Sequence, residues 1–259
     1  MIHIMDAEEP PMGIEAAPSF RTVADLGKWS VEQIDEMLAE AGHYAKPGEK
    51  IEFLSRLFLG TAYEGSTLIG GAEQPEALVL NLRGVDCFTF IDYVEAMRLS
   101  LTFSGLADSL RKIRYREGKV SFSQRNHFFS DWIEHGRDRV EDVTASLGQE
   151  HSRQIEKFLN RREDGTLFVP GIEPIRRRLS YIPSESMKSV SKRLRTGDYA
   201  GIYSPAAGLD VSHVGILVVK EDIVLLRHAS SEKTAPMVKE ADLLAYMRGK
   251  AGLIVLRPR

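Results

Sequence analysis

Cysteine is nearly absent: Cys87 stands alone in 259 residues. No disulfide can close within the chain, and cystine usage says nothing about redox compartment. Long apolar runs are missing too, since none approaches the roughly 18 residues that a membrane span needs. Neither sign of charge is in excess, because 34 Lys and Arg against 37 Asp and Glu leave a formal net charge of −3. That balance lacks the basic footprint of nucleic-acid binding. The clusters RRR at 176–178 and SKRLR at 191–195 are local and read as solvated faces. Repeats and low-complexity tracts are absent. The first residues, MIHIMDAEEPPMG, show no basic region followed by an apolar stretch, so no signal peptide is visible. What is present is 43% hydrophobic residues, enough for a sizeable core in one large domain or a domain with a small appendage.

Residues 1–28 are rich in Pro, Gly, Ala and acidic residues and read as a loose N-terminal arm, leaving 29–259 for a single domain. In SVEQIDEMLAEAG, Ser30 is a helix cap, Gln33 closes a capping box and Gly42 supplies the stop. EKIEFLSRLFLG carries a helical stripe of Ile51, Phe53, Leu54, Leu57 and Phe58 ending at Gly60, so 29–60 reads as N-terminal helices. TAYEGSTLIGGAEQPEALVLNLRG is loop-like up to a short apolar piece, ALVLNL. Beyond Cys87, Phe88, Ile91, Val94, Met97 and Leu101 recur three or four apart, which predicts a largely buried helix within 84–103. The stretch 104–195 mixes helical patches such as SRQIEKFLNRR with an aromatic-polar segment, SFSQRNHFFSDW. Across 197–259, GDYAGIYS, HVGILVVK, IVLLRHAS and LIVLRP read as strands of a sheet. Helices first and strands later predict an α+β fold.

A lone cysteine is usually a small buried hydrophobe. Here Asp86 is a good N-cap, which places Cys87 at the first position of the buried helix, where the helix terminus favours a thiolate. A nucleophilic cysteine also needs a base and a group that orients the base. His213 and His228 lie in the strand-rich tail, and the two-residue break at Glu221-Asp222 makes their segments a hairpin. That loop sets Gly215 opposite His228 and projects both imidazoles from one face. Either histidine alone reads as an ordinary core imidazole. With Cys87 they read as a catalytic set.

GVDCFTF opening a helix, LDVSHVGI in the tail and HASS after the next strand together resemble the NlpC-type papain-fold cysteine hydrolases of bacterial cell walls. Within them the resemblance is to the branch described as N-acetylmuramoyl-L-alanine amidase-like, formerly a domain of unknown function. It runs from FLGTAYEGSTL at 58–68 to the C-terminus, with RNHFFSDW at 125–132 and Gly197-Asp198 as further matches. It implies a papain-like fold in which the nucleophile helix packs on an antiparallel sheet, with N-terminal helices and a helical or loop insertion. It further implies Cys87 as nucleophile, His213 as general base and His228 as the orienting third member, with no cofactor and no metal. A muropeptide or peptidoglycan fragment would be the partner. The bacterial location would be periplasm or cell envelope if a leader is missing, otherwise cytoplasm. Many wall endopeptidases of this superfamily read Asp-Cys-Ser and use that pair to grip a free amine. Phe88 follows the cysteine here, which fits an acylated L-alanine nitrogen better.

For substrate contacts, RNHFFSDW reads as a cleft wall, with Phe129 and Trp132 offering faces to sugar or peptide and Asn126 and Asp131 fixing orientation. Thr61 and Tyr63 follow from the resemblance, and Asp210 and Ser212 from their place beside the base. Arg83, Arg125 and the 176–178 arginines are candidates for the carboxylates of stem peptides. Four rivals stand beside an amidase: a stem-peptide endopeptidase, a zinc site that lacks the usual short ligand spacings, a non-catalytic wall-binding module, and an acyltransferase on a related scaffold.

Overall fold

The structure, a computed structural model, describes residues 3–4 and 20–259. Residues 1–2 and 5–19 of the segment read as an arm lie outside that description. The end of the segment is not loose. Strand β1 (His3–Ile4) pairs with β2 (Arg21–Asp25), and β2 runs parallel to the fully buried β4 (Ala77–Asn81), which offers it a backbone ladder. Between them come α1 (Val31–Gly42), α2 (Pro47–Leu57) and the two-residue β3 (Ala62–Tyr63), which pairs with β5 (Gly84–Val85). Ser30 caps α1 as the sequence predicts: its hydroxyl accepts from the Gln33 amide, and the Gln33 side chain accepts from the Ser30 amide. Gly42, expected as the stop, is instead the last helical residue, and His43 holds the C-cap in a right-handed conformation.

Helix α3 (Cys87–Leu99) is the central element, and α4 (Phe103–Arg114) packs antiparallel-wise beside it after a short turn at Ser100. The apolar residues of α3 occupy every face, and its interior from Thr89 to Met97 is buried. It is covered by α1, α2 and α4 on one side and by the sheet on the other. This is the largely buried helix that its pattern predicts, except that it spans Cys87–Leu99, inside the expected 84–103, and leaves Leu101 of the stripe exposed beyond its end.

The second half supplies α5 (Asp131–His135), β6 (Val140–Asp142), α6 (Thr144–Gly148), β7 (Arg153–Leu159), β8 (Ile175–Pro183), α7 (Met187–Val190), β9 (Tyr199–Tyr203), β10 (Val211–Lys220), β11 (Ile223–Ala229), β12 (Val238–Asp242), α8 (Leu243–Tyr246) and β13 (Gly252–Pro258). The strands form one antiparallel sheet in the order β12, β11, β10, β9, β13, β8, β7, with β6 also pairing to β13. Alternation divides its residues between two cores. Tyr199, Val214, Ile216 and Ile254 face the α3 layer, whereas Ala200, Leu217, Leu226 and Val255 face α7 and α8.

SRQIEKFLNRR, read as helical, is β7. Ile155, Phe158 and Leu159 have helical spacing, but residues 153–159 pair residue by residue with 181–175. The ribbon is fastened by Lys157, whose ammonium donates to the carbonyls of Ser204, Ala206 and Leu209. Cross-strand charge assists it, with Arg176 bonded to Glu156 at 2.7 Å. Long-range pairing has overridden a local period.

Candidate active site

The position of Cys87, the candidate nucleophile, follows from a local cap. One Asp86 carboxylate oxygen accepts from the amides of Phe88 and Thr89, and the Thr89 hydroxyl accepts from the Asp86 amide, so the helix begins at Cys87. These bonds use two donors of the helix terminus and leave the Cys87 amide as the first one not taken by the cap. The thiol is not activated in the resting protein, contrary to the expectation from its helix position. Burial, then the Asp86 carboxylate beside it, push Cys87 up to about 11, against the amides of Val214, Cys87 and Phe88, which favour the thiolate.

The Val214 amide belongs to β10, so the sulfur sits against the strand that carries His213. The two-residue loop behaves as predicted. Lys220 pairs with Ile223 and Ile216 with Arg227, and Glu221 takes the left-handed turn conformation at φ +52°. Gly215 is the residue that makes room for the second imidazole, since a Cβ there would lie 3.0 Å from the His228 Cβ. His213 Nε2 and His228 Nδ1 are 2.7 Å apart, with the rings at 89°. A pairing irregularity against β9 falls between Val211 and His213. Bulges of this kind bend a strand and re-aim its side chain.

Both imidazoles are neutral at physiological pH. Burial first, then His228 and Lys250, bring His213 down to about 3. Burial and Lys239 bring His228 down to about 4, opposed by Glu232. With Nε2 of His213 engaged, its Nδ1 is the nitrogen left for a proton. If His213 donates from Nε2, His228 accepts at Nδ1 and must carry its own hydrogen on Nε2. That buried Nε2 finds no partner among the described residues.

The predicted substrate contacts separate into two groups. Tyr63 and Ser212 stay near the sulfur or the base and are accessible. Burial, then Cys87 and Asp86, raise the Tyr63 phenol, which places it within electrostatic reach of the sulfur, and Ser212 is exposed on β10. Thr61 is nearly buried, and its backbone carbonyl ties the loop to Val238. The others lie in the protein interior. Phe129 and Trp132 are 1% and 2% exposed. Phe129 packs on the bare backbone of Gly201, and Trp132 meets Tyr199, Phe129 and the edge of Phe88. Asn126 donates to the Ile113 carbonyl. Asp131 accepts from the Phe128 amide and pairs with Arg177 at 2.6 Å. Asp210 accepts from the amides of Ser130 and Val211. RNHFFSDW is therefore a brace between the sheet and the helices, because its aromatics have more apolar surface than a solvated loop can cover.

The candidate arginines are also engaged. Arg125 holds Glu76, Arg83 lies by Asp25 and Glu64, and Arg177 joins Asp131 and Glu134. Arg177 thus departs from the solvated face read for 176–178, while Arg176 and Arg178 are exposed. Two site residues were not legible in the sequence. Tyr246 stands edge-on to His228 with centroids 5.1 Å apart, and Lys250 lies 5.5 Å over the Tyr246 ring. Their segment, AYMRGK, has no motif to mark it. Among the described residues no three His, Cys, Asp or Glu side chains are grouped to hold a metal ion.

The sequence profile of the N-acetylmuramoyl-L-alanine amidase-like family matches residues 53–253. The chain belongs to that family. The match spans the Cys87, His213 and His228 segments together. Among solved structures, an N-acetylmuramoyl-L-alanine amidase from Bacteroides uniformis aligns with a TM-score of 0.69 and 27% identity, covering 82% of this chain and 99% of that one. A Legionella pneumophila protein of the DUF1460 family aligns with a TM-score of 0.74, covering 88% of this chain and 94% of that one. At 19% identity the second shows likeness of fold. No curated protein matches the chain.

Proposed function

We propose that this member of the amidase-like family is a cysteine hydrolase of papain-like, NlpC-type architecture. It cleaves the bond between N-acetylmuramic acid and L-alanine in peptidoglycan fragments. The reading is carried by the 2.7 Å imidazole pair on strands β10 and β11, where the Val214 amide, next to His213, meets the sulfur of a cysteine at a helix N-terminus. His213 Nδ1 takes the thiol proton as the sulfur of Cys87 attacks the lactyl carbonyl. The resting pair is neutral, so this transfer accompanies attack and no ion pair is stored beforehand. The oxyanion is held by backbone N–H groups, with the Cys87 amide supported as one of them because the Asp86 cap leaves it unused. Collapse breaks the C–N bond, and His213 returns its proton to the leaving L-alanine nitrogen. Water, deprotonated by His213, then hydrolyses the thioester and restores the thiol. His228 keeps Nδ1 of His213 directed at the sulfur.

The half-buried Phe88 beside Cys87 supports the sugar-linked amide over a peptide with a free amine, since it offers no polar group to an ammonium. The test is mass spectrometry of products from a defined muramyl-peptide. Intact stem peptide and free N-acetylmuramic acid are expected. Free L-alanyl-D-glutamate as the first product would replace this reading with a stem endopeptidase.

A further inference from the structure

A cavity of about 430 Å³ opens beside the imidazole pair, bordered by His213, His228, Ser212, Ser230, Tyr246 and Lys250. The group that protonates a leaving nitrogen must stand beside it. Under the proposed mechanism, the space next to His213 therefore receives the leaving side of the scissile amide. The charges around this cavity do not cancel. Glu232 also borders it but is paired with Lys239, the two histidines are neutral, and burial followed by Cys87 raises the Tyr246 phenol, which keeps it neutral. Lys250 is left. It is exposed, pairs with no carboxylate among the described residues, and rests on the Tyr246 ring. That contact orients an ammonium without neutralising it.

We propose that Lys250, set by Tyr246, is a carboxylate subsite for the leaving peptide. It would take the free α-carboxylate of the glutamyl residue that follows L-alanine. The inference rests on the amidase reading for the identity of the leaving group. In a stem released from the lactyl group, L-alanine carries no charged side chain, so the next residue brings the first anion toward this cavity. A second consequence follows for the base. Lys250 is one of the charges that hold His213 down, and a carboxylate placed against it offsets that charge. The base then gains proton affinity as the substrate arrives. Selection of an anionic leaving peptide would thus be expressed in turnover as well as in binding.

Two ligands differing in one group separate the possibilities: N-acetylmuramoyl-L-alanyl-D-isoglutamate and its isoglutamine counterpart, in which the carboxylate is a neutral amide. Calorimetric titration of each into the full-length Cys87→Ala protein reads binding without turnover. The acid should bind about tenfold tighter than the amide, as expected for one charge-assisted contact at a partly exposed site. Lys250→Met should erase the difference, Lys250→Arg should retain it, and Lys112→Met on the exposed side of α4, in the α3 layer, should leave it unchanged. Equal affinity for the two ligands, or a preference that survives Lys250→Met, overturns the subsite. Turnover of the acid by the wild-type chain is scored separately. Discrimination in binding without cleavage keeps the subsite and removes the amidase reading, and cleavage without discrimination does the reverse. A ligand neither bound nor cut removes both.

Discussion

Two polar regions flank Cys87 and are built in opposite ways. In 125–132 the ionisable groups are matched: Asp131 with Arg177 and Arg125 with Glu76, while Asp210 fastens the Ser130 amide. In the β10–β11 pair the imidazoles are neutral and, among the described residues, the nearby Lys250 pairs with no carboxylate. Matched charge in a buried place fixes position, because separating it exposes an unsolvated ion. A neutral imidazole whose Nδ1 is not engaged, as in His213, can still accept a proton. The first arrangement suits a scaffold and the second suits the chemistry proposed for it, although both read as histidine- or aromatic-rich polar segments in the sequence.

The comparison breaks most visibly at Cys87 and His213. Cys87→Ala and His213→Ala should each lower kcat by more than about a thousandfold with circular dichroism unchanged. A Cys87→Ala protein keeping over about a hundredth of the rate would remove the chemistry from this region. The next largest effect belongs to the scaffold. Trp132→Ala should cost about 3–5 kcal/mol in urea denaturation, with the same bond cleaved in whatever folds. Unchanged stability with a raised KM would return RNHFFSDW to the cleft wall.

His228→Ala sharpens the contrast, since it removes the proposed orienting group and leaves the proposed base. A loss of about a hundredfold in kcat with little change in KM is expected from steady-state kinetics. An effect confined to KM would make His228 a substrate contact. The smallest effect is on stability against pH. His213 and His228 have folded values of about 3 and 4, below the 6.5 of the free imidazole. Between these limits the unfolded chain binds more protons, so stability is full above the unfolded value and falls as pH drops toward the folded ones. The denaturation midpoint of the wild type should fall more steeply from pH 7 to 4 than that of a His213→Gln, His228→Gln protein. Parallel slopes would show that the imidazoles are not held neutral.

Much of this was legible because it is set by near neighbours. The Ser30 and Asp86 caps act within one turn, and the Glu221-Asp222 loop carries a strand register from one side to the other. Together they place Cys87 at a helix start and bring His213 to His228, and no distant residue is needed to read either. The sequence also resembled its family through motifs of this local kind, and the matched profile spans them.

Burial is not a local property, and there the reading departed from the molecule. Phe129 and Trp132 are inside because Gly201 and Tyr199, about 70 residues away in the chain, bring the sheet against them. β7 is a strand because β8 offers it a ladder. Cys87 has a raised pKa because packing removes water from it, and its helix terminus cannot outweigh that loss together with the Asp86 charge. Residue type and spacing alone singled out Cys87, His213 and His228 as the candidates, and gave no sign of Tyr246 or Lys250 beside them. Tertiary packing decided how much water each one keeps, and hence which are charged, which are neutral and which face the substrate.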